Sequence, residues 1–229
     1  MATSDSTTFD LNIDDIIQEA YERCGKRTNS GYDLKSARRS LNILFSEWGN
    51  RGVHLWKVEL KEQLLTSGTS TYTAPTNAND ILEAYISTTT GTTSSTNDVS
   101  LTKISRSEYA ALPNKGSTGQ PSQYYVDRQT TPQITLYQTP NASTYTYLKY
   151  YYLKRIEDAG AYTNTADVVF RFIPCMVAGL AYYLSMKYNP QVVQQNKLIY
   201  EDELQRALVE DGQRTSVYIT PQSYYPTGL

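Results

Sequence analysis

Apolar residues recur at helical spacing near both ends of the chain and at alternating spacing in the long stretch between. Ile13, Ile16, Ile17, Ala20, Tyr21 and Cys24 lie on one helical face, with Asn12 placed to cap the start and Gly25 to stop the end. Leu34, Ala37, Leu41, Leu44, Phe45 and Trp48 mark a second helix, opened by Ser30 and Asp33 as a capping box and closed at Gly49. The short link between them predicts an antiparallel helical hairpin.

From Val53 the period falls to two. Strands are expected over His54–Leu65, Ser70–Ala74 and Ile81–Thr88, with turns at Pro75 and Asn77–Asp80. The stretch 88–100 is almost entirely Ser, Thr, Gly and Asn; it has nothing to build a core with and reads as a mobile hairpin tip. Ser105 and Glu108 form a capping box for a short helix that Pro113 ends. Strands resume at Gln123–Arg128, Gln133–Gln138 and Thr144–Leu153, the last two joined across Thr139–Ala142.

Helical spacing returns after a loop over Asp158–Asp167, with Asp167 as cap. Phe170, Ile173, Val177, Leu180, Ala181 and Leu184 form a broad apolar face, and Pro174 either kinks this helix or sits in its first turn. Asn189-Pro190 opens a final helix with Val193, Leu198, Leu204 and Leu208 inward and Gly212 as its stop. The fold class is α+β: a four-helix core built from N- and C-terminal helices, with a β-rich insertion and an extended C-terminal arm. The divisions are 1–52, the N-terminal helical hairpin; 53–157, the insertion; 158–212, the helices completing the core; and 213–229, the arm. In the arm Tyr218, Ile219, Tyr224 and Tyr225 stand among Pro221 and Pro226 as large anchors in a segment of few charges, a composition suited to docking on a partner.

Composition narrows the chemistry. A chain of 229 residues needs neither disulfide nor metal to be stable, and Cys24 and Cys175 read as buried free thiols. A single histidine, His54, leaves little material for a metal site or a catalytic triad, and Glu201-Asp202-Glu203 and Glu210-Asp211 read as a solvated helix face. The chain is expected to be no enzyme and to hold no cofactor or metal. Twenty-one Lys and Arg against 23 Asp and Glu leave a net charge of −2, so no global field gathers phosphates. Lys35, Arg38 and Arg39 on the second helix read as a solvated face or a contact with an acidic partner. Val168–Leu184 is short for a membrane span and carries Arg171 and Pro174, so no membrane is expected. Tyrosine, at 21 residues, is the compositional outlier, and it suits surfaces that are wet at one time and covered at another. Packing accounts best for Tyr150-Tyr151-Tyr152, since strand alternation sends neighbouring rings to opposite faces.

Several stretches, in order, resemble the head-to-tail adaptor (connector) proteins of short-tailed bacteriophages. They are Ser105-Arg106-Ser107-Glu108-Tyr109, Gly119–Arg128, Ile134–Pro140, Tyr150–Ile156, and Phe172–Leu184 followed by Lys187-Tyr188-Asn189-Pro190. The resemblance implies a structural virion protein at the head–tail interface, assembled in the host cytoplasm. It implies a ring of about twelve identical subunits, bound under the portal protein, that extends the DNA channel and offers a platform to the tail nozzle or tail-tube protein. Genomic DNA is expected to pass through without specific binding, and the composition of the arm leads to the expectation that Tyr218, Ile219, Tyr224 and Tyr225 contact the portal or a neighbouring subunit. The alternatives are a tail-tube or tail-completion component and, behind it, a glycan-binding module using the tyrosines.

Overall fold

The computed structural model describes residues 11–27, 31–51, 55–91 and 97–211. Helix α1 (Ile13–Arg23) begins as its spacing predicts, with the Asn12 side chain accepting from the Asp15 N–H at 2.9 Å. Gly25 follows at φ +78°, a left-handed conformation that glycine takes without cost. Two further amides at the start of α1 are met from far along the chain, Ile13 by the Asn164 carbonyl at 2.9 Å and Asp14 by that of Tyr162 at 3.0 Å. Helix α2 (Gly31–Asn50) runs through Gly49 instead of stopping before it. Ser30, half of the expected capping box, lies outside the described residues.

The middle of the chain forms two four-stranded sheets. The first has the order β1 (Val58–Leu64), β10 (Tyr147–Lys154), β3 (Ala78–Ser87) and β4 (Asp98–Ser100), all antiparallel. The second runs β2 (Thr71–Thr73), β8 (Gln133–Tyr137), β7 (Gln123–Asp127) and β5 (Thr102–Ile104), with β5 parallel to β7. A two-stranded ladder joins β6 (Thr118–Gly119) to β9 (Thr139–Pro140). The sheets share one apolar core: Ile81, Ile86, Leu148, Tyr150 and Tyr152 meet Tyr72, Tyr124, Ile134 and Leu136. Only buried Leu101 separates β4 from β5, so the chain crosses from sheet to sheet in a single residue.

Several expectations for this region are corrected. Residues 98–100 of the supposed hairpin tip pair with β3, because Val99 and Leu101 have a core to face; residues 92–96 lie outside the described residues. Residues 78–80 belong to β3 and not to a turn, and Leu55–Lys57 is a 3-10 turn and not strand. The Thr139–Ala142 link carries the chain between sheets, since β8 pairs with β7 and β2 while β10 pairs with β1 and β3.

The short α3 (Arg106–Ala111) carries the expected Ser105–Glu108 capping box, and helix α4 (Ile173–Tyr188) follows a 3-10 turn at Phe170–Phe172, with Pro174 in its first turn, where the missing N–H costs nothing. Asp167 caps nothing; its carboxylate takes the Lys57 ammonium and accepts from the Glu157 N–H, tying the two ends of the β region together. Pro190 opens a 3-10 turn with no side-chain cap from Asn189, whose amide instead donates to the Cys24 carbonyl at 3.1 Å. Helix α5 (Val193–Asp211) buries Asn196, Tyr200, Leu204 and Ala207, while Leu198, expected inward, is 72 % exposed. The Tyr200 ring is the larger buried area, and it sets the rotation of the helix. Residues of α1, α2, α4 and α5 share a second apolar core.

Candidate interaction surfaces

The acidic run on α5 is held in ion pairs. Arg51 makes a fork to Glu201, at 2.7 and 2.8 Å, and also reaches Glu47 at 2.6 Å. The Arg51 hydrogen bonds hold the Glu201 carboxyl below the usual carboxylate range. Asp202 and Glu203 meet Arg206, and Asp211 meets Arg171. Behind Arg51 a buried chain of hydrogen bonds runs from the Trp48 indole to the Tyr200 hydroxyl at 3.1 Å, and from that hydroxyl to Glu47 at 3.3 Å. Glu201 and Asp211 tie α5 to other parts of the chain, whereas Asp202 and Glu203 pair within α5 itself.

Two outward stripes remain uncovered in the single copy. On α5, Leu198, Asp202, Gln205 and Val209 fall at i, i+4, i+7 and i+11 and are all exposed, Val209 at 74 %. On α2, Tyr32, Lys35, Arg39, Ile43 and Ser46 follow the same rule, with Tyr32 at 69 % and Ile43 at 50 %. Of the three basic positions singled out from sequence, Lys35 and Arg39 join this stripe. Arg38 turns aside to donate to the Gly160 carbonyl at 3.1 Å and lies over the Tyr162 ring. Sequence spacing missed the exposed Tyr32, Ile43, Leu198 and Val209 on these mixed stripes because it looked only for the inward face; the signal was there in Leu198 and Val209, eleven residues apart.

The tyrosine triplet divides as alternation requires. Tyr150 and Tyr152 enter the inter-sheet core, and burial pushes the Tyr150 hydroxyl up to about 12. Tyr151 stays half-buried on the other face, edge-on to Tyr85. Lys149, beside it, is only 2 % exposed and meets Asp98 at 3.1 Å, so it is no surface cation.

Tyr218, Ile219, Tyr224 and Tyr225 lie outside the described residues, as does His54. Cys24 and Cys175 are buried free thiols; burial pushes Cys175 up to about 12, which keeps it protonated. Among the described residues no group of His, Cys, Asp and Glu could hold a metal ion, and no helix is long and apolar enough to cross a membrane.

The exposed stripes on α2 and α5 give the chain surfaces on which another protein can pack. The family model of the SU10 adaptor protein matches residues 3–223, nearly the whole chain, and the chain belongs to that family of phage head-to-tail adaptors. It is a structural component of the bacteriophage virion. Among curated proteins none matches its sequence.

Proposed function

We propose that the chain forms a ring of about twelve copies under the portal protein, extending the DNA channel and carrying the tail nozzle or tail-tube protein on its other side, without catalysis. The observation that carries this reading is the family match over 3–223. The exposed stripes of α2 and α5 add to it: a ring closes through two different patches on each subunit, and these two stripes could serve as such a pair. In this reading the helices form a four-helix core, residues 53–157 serve as a platform, and the arm after Gly212 docks through Tyr218, Ile219, Tyr224 and Tyr225 on the portal or a neighbour. Assembly takes place in the host cytoplasm, and the finished ring sits at the head–tail interface. A weakly acidic lining lets DNA slide past, whereas a basic one would retain it.

Native mass spectrometry of the chain mixed with portal tests this. The expected product carries a ring of about 310 kDa, twelve times the 25.9 kDa chain. A monomer or symmetric dimer that ignores portal overturns it. Removing residues 213–229 is expected to abolish incorporation into particles.

A further inference from the structure

A groove of about 550 Å³ runs between α1 and the start of α4. Its apolar lining comes from Leu11, Ile173, Pro174 and Val177, and its wall is the outer face of α1, where Asp15, Gln18, Glu19 and Glu22 stand with Arg23. Arg23 is engaged by Glu19 within the same helix, at 2.8 Å. Glu22 reaches only the Gln18 amide, at 3.5 Å, and among the described residues no cation pairs with Asp15 or Glu22. Three carboxylates against one cation leave the groove negative. The outward stripe of α2 has the opposite character. Lys35 and Arg39 stand one turn apart between exposed Tyr32 and Ile43, and among the described residues neither has a carboxylate partner. Lys187 of α4 adds a third cation beside them, donating to the Ser40 hydroxyl at 2.6 Å and the Ser36 hydroxyl at 3.2 Å. Burial and the nearby charge of Arg39 push its ammonium below the ordinary lysine range.

We propose that the α2 stripe of one subunit seats in the α1–α4 groove of the next, with Tyr32 and Ile43 on the apolar lining and Lys35 and Arg39 against Asp15, Glu19 and Glu22. This rests on the ring reading and names its subunit contact. The occupant is a second copy because the chain carries both halves of the contact, and each half repels its own kind. Cation on cation and carboxylate on carboxylate disfavour a symmetric dimer through either face, whereas the mixed contact is head-to-tail and repeats until it closes. Direction agrees as well. Helices α1 and α2 run antiparallel, with the Tyr21 hydroxyl near the end of one donating to the Asp33 carbonyl near the start of the other at 2.9 Å. One step round a ring of twelve is a turn of about 30°, so α2 stays antiparallel to the neighbour's α1. Lys35 then comes level with Glu22, and Arg39 with Glu19 and Asp15, since side chains three or four residues apart rise by about 5–6 Å on both helices. The α5 stripe, on a helix that also packs against α4, extends this receiving side.

Charge exchange in the full-length chain tests it, read as ring yield with portal by native mass spectrometry. Lys35→Glu with Arg39→Glu makes both faces acidic, and Asp15→Lys with Glu22→Lys makes the groove as basic as α2. Each doubly substituted chain alone is expected to lose the ring by roughly tenfold or more, because like charges meet at every contact. An equimolar mixture of the two should restore it as a ring of alternating chains in a ratio of one to one, and a chain with all four substitutions should restore it by itself. Asp15→Asn with Glu22→Gln, which keeps the shape of the wall, should lower the yield less than the reversal does. Parental yield from either reversed chain alone overturns the inference while the ring reading stands. Loss in both chains that mixing does not repair, with both folded by circular dichroism, overturns it in favour of portal as the partner of these faces. A parent chain that forms no ring on portal brings down the ring reading and this contact with it.

Discussion

At the scale of single residues, the helical core is set by close fits around Tyr200 and Gly179. A Cβ added to Gly179 would stand 2.9 Å from both methyls of Leu44 and 2.9 Å from the Tyr200 ring, both side chains fully buried, so the helices or these side chains must shift to admit it. Gly179→Ala is therefore expected to destabilise the chain by about 1–3 kcal/mol, measured by urea unfolding. Tyr200→Phe keeps the ring but leaves the Trp48 indole without its acceptor, at a cost of about 1–3 kcal/mol by the same measurement. Buried tyrosines also make stability depend on alkaline pH. Burial raises Tyr124, Tyr150 and Tyr183 to about 12, against about 10 in the unfolded chain. Their contribution is complete below pH 10 and is lost as pH rises toward 12, each steepening the fall by up to about 1.4 kcal/mol per pH unit. Unfolding followed by tyrosinate absorbance should show this decline, and a flat profile to pH 12 would contradict the burial. The pairing of Ser105 with Glu108 was fully legible beforehand, because a capping box is local chemistry. The Lys57–Asp167 pair was not, because 110 positions separate its partners.

At the scale of elements, periodicity located α1, α2, α4 and α5, and a capping box the short helix at Arg106–Ala111, but spacing missed how α5 is turned. Leu198 and Tyr200 are both candidates for the inward face, and one-dimensional spacing cannot weigh a leucine against a tyrosine ring that finds Trp48 and Glu47 waiting across the interface. The same blindness hid β4, whose three residues sit in a polar run and become strand only because β3 offers an edge. The rotation of α5 frees Leu198 and Val209 for a partner. Val209→Glu should leave the unfolding free energy of the single chain within about 0.5 kcal/mol of the parent, since the side chain is 74 % exposed. The same variant should fail to form the ring with portal in native mass spectrometry. Assembly at parental yield would remove this face from the subunit contact.

At the scale of the whole molecule, the near-neutral charge predicts weak, non-specific affinity for duplex DNA at physiological salt, read by fluorescence anisotropy. Nanomolar binding with a steep salt dependence would contradict a passive conduit. The α+β class and the order of helices, strands and helices were readable in the sequence. Sheet order was not, since partners such as β1 and β10 lie some ninety residues apart. That separation also governs time. The first turn of α1 donates hydrogen bonds to the carbonyls of Tyr162 and Asn164, and the apolar faces of α1 and α2 are covered by α4, which begins at Ile173. A ribosome makes more than a hundred residues between the two, at roughly 5–20 residues each second. For several seconds the leading helices have no partner, while the strands between them already hold most of what their own core needs. The older half of the chain must wait for the younger, so folding is completed only once the last helices have left the ribosome.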